Sequence, residues 1–106
     1  MAEGKGEDVK HILLAKFKEG ITEEEIQECM KRFENLVDHL PSLKSFKWGE
    51  ELSIANFHQG FTHVFELTFE SGEGVAEYLS HPHHVAYAEF FLPKLEKFIA
   101  VDFAAK

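Results

Sequence analysis

The stretch VKHILLAKF (9–17) sets His11, Leu13, Ala15 and Phe17 on one side and Ile12 and Leu14 on the other. Side chains along a strand alternate between faces, so this segment predicts a strand that is apolar on both and must be covered on both. The period then lengthens. Ile26, Cys29, Met30, Phe33, Leu36, Val37 and Leu40 recur at helical spacing and make one continuous apolar face. Thr22 is placed as its N-cap, Glu25 three residues on completes a capping box, and Glu23 and Glu24 suit the positive end of the helix dipole. Pro41 is expected to end this helix.

Alternation returns in LKSFKWGEEL (43–52), a strand interrupted near Gly49, and after the loop SIANFHQG in FTHVFELTFE (61–70). The second of these puts Phe61, His63, Phe65, Leu67 and Phe69 on one face. SGEGVAEYLSH reads as a short helix ended by Pro82. HVAYAEFFLPKLEKF reads as another, with Phe91, Leu92 and Leu95 inward and a kink or break at Pro93. FIAVDF (98–103) is the last strand. Residues 1–8, MAEGKGED, are expected to form a mobile tail before a single domain at 9–106.

The order β-α-β-β-α-α-β is that of an α+β, ferredoxin-like fold, with helices on one face of a four-stranded sheet. The opposite face would carry Ile12, Leu14, Val64 and Val101 with nothing over them. A second copy packed sheet to sheet would cover them, giving a dimeric α+β barrel.

Composition narrows the function classes. The chain has 106 residues, 44% hydrophobic and 28% charged, an ordinary globular balance for one domain. Eleven phenylalanines imply an aromatic core that either packs tightly or leaves a hollow for a flat, oily ligand. A net charge of −8 argues against nucleic acid or an anionic membrane as partner. One cysteine, Cys29, excludes an intrachain disulfide framework and fits a reducing, cytoplasmic setting. No apolar run approaches a membrane span, and MAEGKGEDVK is too polar for a signal peptide.

The segments VKHILLAKFK, LVDHLPSLKSFKWGEE, GFTHVFELTFES and YLSHPHHVAYAEFFLPKL, taken together and in this order, resemble the plant stress-responsive A/B barrel (Dabb) family over roughly residues 9 to 103. The resemblance implies a homodimer with facing sheets, sometimes assembled further into rings. Members include heat-stable, stress-induced and antifungal proteins without a settled catalytic role. One branch, of the olivetolic acid cyclase type, closes a linear polyketide thioester by a cofactor-independent intramolecular aldol condensation. The resemblance also implies a structural magnesium held by main-chain carbonyls, at positions matching Val37, Leu40 and Leu43.

The candidate chemistry lies in YLSHPHHVAY (78–87). His81, His83 and His84 attract a metal reading, but Pro82 splits them, adjacent side chains diverge at a helix start, and no cysteine or HExxH pattern supports it. An acid–base reading is stronger. The cyclase branch carries a tyrosine and a histidine at the positions of Tyr78 and His84. Aldol closure needs a base to remove a proton between two carbonyls and a donor for the developing oxyanion. The resemblance therefore implies His84 as base and Tyr78 as donor. His11 and His63 would orient the polar end of a substrate, and Leu13, Phe33, Phe65 and Leu95 would hold its apolar end; His81, counted with these substrate-binding residues, would support the turn. The competing reading is structural: the same pair, hydrogen-bonded across the Pro82 turn, would pin the helix junction. Departures from the cyclase pattern are Phe33 for a tyrosine, His83 for an alanine, and Ala86 and Ala88 for glycines, whose methyl groups should narrow any cavity. A purely structural, heat-stable oligomer is the remaining alternative.

Overall fold

The computed structural model describes residues 8–106. The mobile tail expected at 1–8 lies outside the described residues except for Asp8, whose carboxylate accepts a hydrogen bond from Lys44 Nζ at 2.9 Å. The elements run β1 (Val9–Phe17), α1 (Glu23–Val37), β2 (Leu43–Glu50), β3 (His63–Phe69), α2 (Gly72–Ser80), α3 (Pro82–Phe91), a single 3₁₀ turn (Leu92–Lys94) and β4 (Leu95–Ala104). The sheet order is β2-β3-β1-β4, with every neighbouring pair antiparallel. This is the ferredoxin-like topology. Among the described residues no helix is long and apolar enough to cross a membrane.

Local signals place most boundaries. Thr22 caps α1, accepting from the Glu25 amide while the Glu25 carboxylate accepts from the Thr22 amide. Ser71 caps α2. His81 caps α3, its Nδ1 accepting from the His83 amide, and Pro82 sits in the first turn, where a missing N–H costs nothing.

Two boundaries differ from expectation. The first helix ends at Val37, and residues 38–42 turn back through the bonds His39 N–H to Leu36 O and Leu40 N–H to Val37 O, ahead of Pro41. The helix expected through Phe98 instead stops at Phe91. Pro93 cannot continue the hydrogen-bond ladder, so the chain makes one tight turn and pairs at once with β1, Leu95 opposite Phe17. Strand β4 is therefore three residues longer at its start than FIAVDF suggested.

The core lies between the sheet and the helices. Phe65, Leu67 and Phe69 of β3 and Cys29 and Phe33 of α1 are almost fully buried. Phe33 is the hub, stacked on Phe65 at 5.2 Å and on Phe46 at 4.8 Å and packed against Tyr87 at 5.0 Å. The other sheet face is uncovered in the single chain. Register puts Ile12 beside Val101 and Leu14 beside both Ile99 and Val64 there, and Ile99, Val101 and Phe103 are 46–51% exposed. Lys10, Glu66 and Thr68 share this face, with Lys10 Nζ 2.9 Å from Thr68 Oγ1.

Candidate functional site

Strand β1 and helices α2 and α3 converge on a half-enclosed hollow of about 210 Å³ between the sheet and its helical cover. Its polar side chains are His11, Tyr78, His84 and Tyr87. Leu13, Phe33, Phe91 and Leu92 supply apolar wall, and Phe98 and Ala100 of β4 flank the rim. The Pro82 turn brings the Tyr78 and His84 rings to 4.3 Å between centroids, with the His11 ring at 5.6 Å from that of Tyr78. Period two on β1 puts His11 and Leu13 on the helix-facing side; the short connection at His81 folds α3 back so that His84 meets the last turns of α2.

The protonation pattern follows from the partners. His84 Nδ1 lies 3.1 Å from the Leu79 carbonyl. A carbonyl can only accept, so Nδ1 carries the proton and Nε2 keeps its lone pair. Burial holds the His84 pKa below that of a free imidazole; the Leu79 bond works against this, and neighbouring His11 and His81 reinforce it. His11 is fixed differently. Its Nδ1 is 2.5 Å from Asp102 Oδ1, and because a carboxylate only accepts, His11 likewise presents Nε2 at its other edge.

The two tyrosines divide their roles. Tyr87 donates its hydroxyl to the Cys29 carbonyl at 2.7 Å, tying α3 to α1. The Tyr78 hydroxyl has no hydrogen-bond partner among the described residues, and no polar side-chain atom there is both sealed off and unsatisfied. Its oxygen therefore reaches accessible space. Burial pushes the Tyr78 phenol well above its ordinary value, so it is a donor throughout the neutral range. The hydrogen bond across the turn that a purely structural pair would make is absent: His84 bonds to Leu79, and Tyr78 touches it only through the ring.

Of the residues singled out in the sequence, the hollow gathers His11, Leu13, Phe33, Tyr78 and His84. Four lie elsewhere. His63 is wedged between Phe17 and Trp48 at the other end of the sheet, its Nδ1 2.8 Å from Thr62 Oγ1. Phe65 is sealed behind Phe33. His81 has its Nδ1 committed to capping α3. Leu95 is core, at the start of β4. Ala88 lines the hollow as expected of a narrowing methyl, but Ala86 lies on the opposite side of α3, in a groove with Arg32, His39 and His83.

Sequence reasoning missed Asp102, Leu79 and the β4 rim. Alternation in β4 could have put Phe98, Ala100 and Asp102 on one face, but linking them to His11 required the β1–β4 register.

Nothing in the described residues supports the suggested magnesium at Val37, Leu40 and Leu43. The Val37 and Leu40 carbonyls already accept from the Leu40 and Leu43 amides in successive turns, and among the described residues no group of three or more His, Cys, Asp or Glu side chains could hold a metal ion.

The lowered imidazoles have a thermodynamic consequence. His63 and His84 both titrate below their unfolded value of 6.5, desolvation being the main cause for each. The unfolded chain then binds more protons than the folded one as pH falls past about 6.5, so stability present above that pH is lost downward through the folded pKa values. Thermal melts at pH 7.5 and 5 should show a lower midpoint at pH 5, and His63→Gln should flatten part of the dependence. An unchanged slope in that variant would remove His63 as a cause.

Comparison with known proteins gives a consistent picture. A family described as Stress responsive A/B Barrel Domain matches residues 9–105. The stress-response A/B barrel domain-containing protein HS1 of Arabidopsis thaliana is 52% identical over 97% of this chain and 94% of its own. Olivetolic acid cyclase of Cannabis sativa is 37% identical, over 92% of this chain and 97% of its own. Among solved structures, a hydroxynitrile lyase from Passiflora edulis superposes with a TM-score of 0.88 at 28% identity, covering 95% of each chain.

Proposed function

The chain belongs to the stress-responsive A/B barrel domain family, and from that premise we propose that it acts as a homodimeric stress- or defence-related protein whose hollow binds a small apolar molecule through Tyr78 and His84. The observation that carries this reading is a phenol unpartnered among the described residues, beside an imidazole with a free Nε2, in a mostly apolar hollow whose other polar side chains, His11 and Tyr87, are bonded to Asp102 and the Cys29 carbonyl. Such a combination of oily lining and a few convergent polar groups is the usual anatomy of a small-molecule site. Size limits the ligand. A cavity of roughly 150 Å³ takes benzene, so about 210 Å³ holds one ring and a few further atoms. The uncovered sheet face supports the homodimer, since a contiguous apolar patch of this kind is normally an interface.

A second reading is that of a cofactor-independent polyketide cyclase. Its support is the protonation pattern, in which the base is neutral and the donor is protonated at neutral pH. His84 Nε2 would take the proton from carbon between two carbonyls, and the resulting enolate would attack a distal carbonyl of the same chain. The Tyr78 hydroxyl would donate to the oxygen on which negative charge develops.

Ligand binding tests the first reading directly. Small aromatic ketones should raise the melting temperature of the protein in proportion to the logarithm of their concentration. Ala88→Leu, which fills the hollow with a good helix former, should cancel the rise. A panel of ring-sized compounds that leaves the melting temperature unmoved would defeat it.

A further inference from the structure

The hollow has an outer extension that bears on what it can take. Leu79, His84, Ala88 and Leu92, which line the hollow, also line a shallower and more open depression of about 560 Å³ on the outer side of α2 and α3. Val85, Glu89 and Pro93 complete it. Leu79 and Val85 stand 46% and 44% exposed there, an apolar ledge continuous with the inner site. Neither space is lined by a lysine or arginine. Among the described residues the acidic side chain on the ledge is Glu89, and Asp102, the acid bonded to a residue of the inner site, is engaged with His11. The nearby cations face elsewhere: Arg32 and Lys94 sit over the Phe90 ring, at 4.3 and 3.9 Å from its centre.

Resting on the pocket reading above, we infer that the ligand is uncharged: a neutral carbonyl compound with a ring-sized head in the hollow and an apolar tail on the Leu79–Val85 ledge. The Tyr78 hydroxyl donates to its carbonyl oxygen. A carboxylate or phosphate at the head would be buried with no lysine or arginine to meet it, beside the His84 imidazole, whose burial disfavours its charged form. One on the ledge would face Glu89 on a protein that already carries a net charge of −8. An alkyl tail, in contrast, gains by covering exposed leucine and valine.

A matched pair of probes tests this. Binding of 4-hexylacetophenone and 4-hexylbenzoate to the full chain is measured by amide-proton NMR titration at pH 7.5, with acetophenone as the tail-less reference. The neutral ketone should bind at least about tenfold more tightly than the carboxylate of the same shape, and more tightly than acetophenone, with shifts centred on Leu79, His84 and Ala88. Val85→Lys, which puts a cation on the ledge, should narrow the ketone-to-benzoate ratio. Equal or tighter binding of the benzoate to the unmodified protein would overturn the inference and leave the pocket standing. Absence of binding by all three probes would overturn the inference and the pocket reading together.

Discussion

Replacing His84 by glutamine is expected to abolish any ring-forming activity while leaving the fold intact. If the protein is added to a type III polyketide synthase reaction, it should divert lactone by-products into a carboxylated ring, and H84Q should return the mixture to lactones. A positioned general base contributes roughly 10²–10⁴-fold, so the loss would sit below detection in an end-point assay. The structural cost is small because the imidazole makes one hydrogen bond, to the Leu79 carbonyl, worth about 1 kcal/mol. Tyr78→Phe should lower the same rate by ~10²–10³-fold, the effect of removing one oxyanion donor. It should leave stability nearly unchanged, since the hydroxyl bonds to nothing among the described residues. The pH profile adds a check. With the His84 pKa held below 6.5 by burial, the rate should be level through neutrality and fall only as pH drops through that lowered value. No diversion by the unmodified protein across several starter chain lengths would remove the cyclase reading and leave the binding reading in place.

The second large effect concerns assembly. Val101→Lys is expected to convert the proposed homodimer to monomer at micromolar concentration, read by sedimentation velocity. Val101 lies beside Ile12, is 51% exposed in the single chain, and in a two-fold interface every substitution counts twice. An ammonium buried without a partner costs about 3–5 kcal/mol. That face already carries Lys10, Lys16 and Lys97, and the carboxylates near them are already engaged, Glu66 beside Lys10 at 3.8 Å and Glu96 beside Lys16 at 3.4 Å. The monomer should keep its helical circular dichroism, because Val101 packs no helix, and it should melt at a lower temperature once dimer linkage is lost. An unmodified protein that sediments as a monomer would defeat the dimer. A V101K protein that still dimerises would move the interface to another face.

Much of this architecture is legible in the one-dimensional pattern because periodicity and capping are local. Thr22 with Glu25, the helical spacing from Ile26 to Leu36 and the alternation from His63 to Phe69 each act within a few residues, and each appears in the structure as read. The uncovered face followed as well, since Leu13 and Ala15 on one side of β1 and Ile12 and Leu14 on the other could not all turn toward one helical layer. Boundaries were less legible where two local signals compete. Pro93 was readable as a breaker, but whether the chain resumed as helix or strand depended on β1 offering Phe17 as a partner for Leu95.

The site divides along the same line. Sequence by itself determined the polar groups available, the turn at Pro82 that folds Tyr78 and His84 together, and the shared face of His11 and Leu13. Only the tertiary structure decided that Tyr87 is consumed by the Cys29 carbonyl while Tyr78 stays free, and that Asp102 orients His11. It also put His63 at the far end of the sheet. The two hydrogen bonds join groups 58 and 91 residues apart in the chain. Hydrogen bonds at such separations are set by sheet register and helix packing, which no short stretch of sequence encodes.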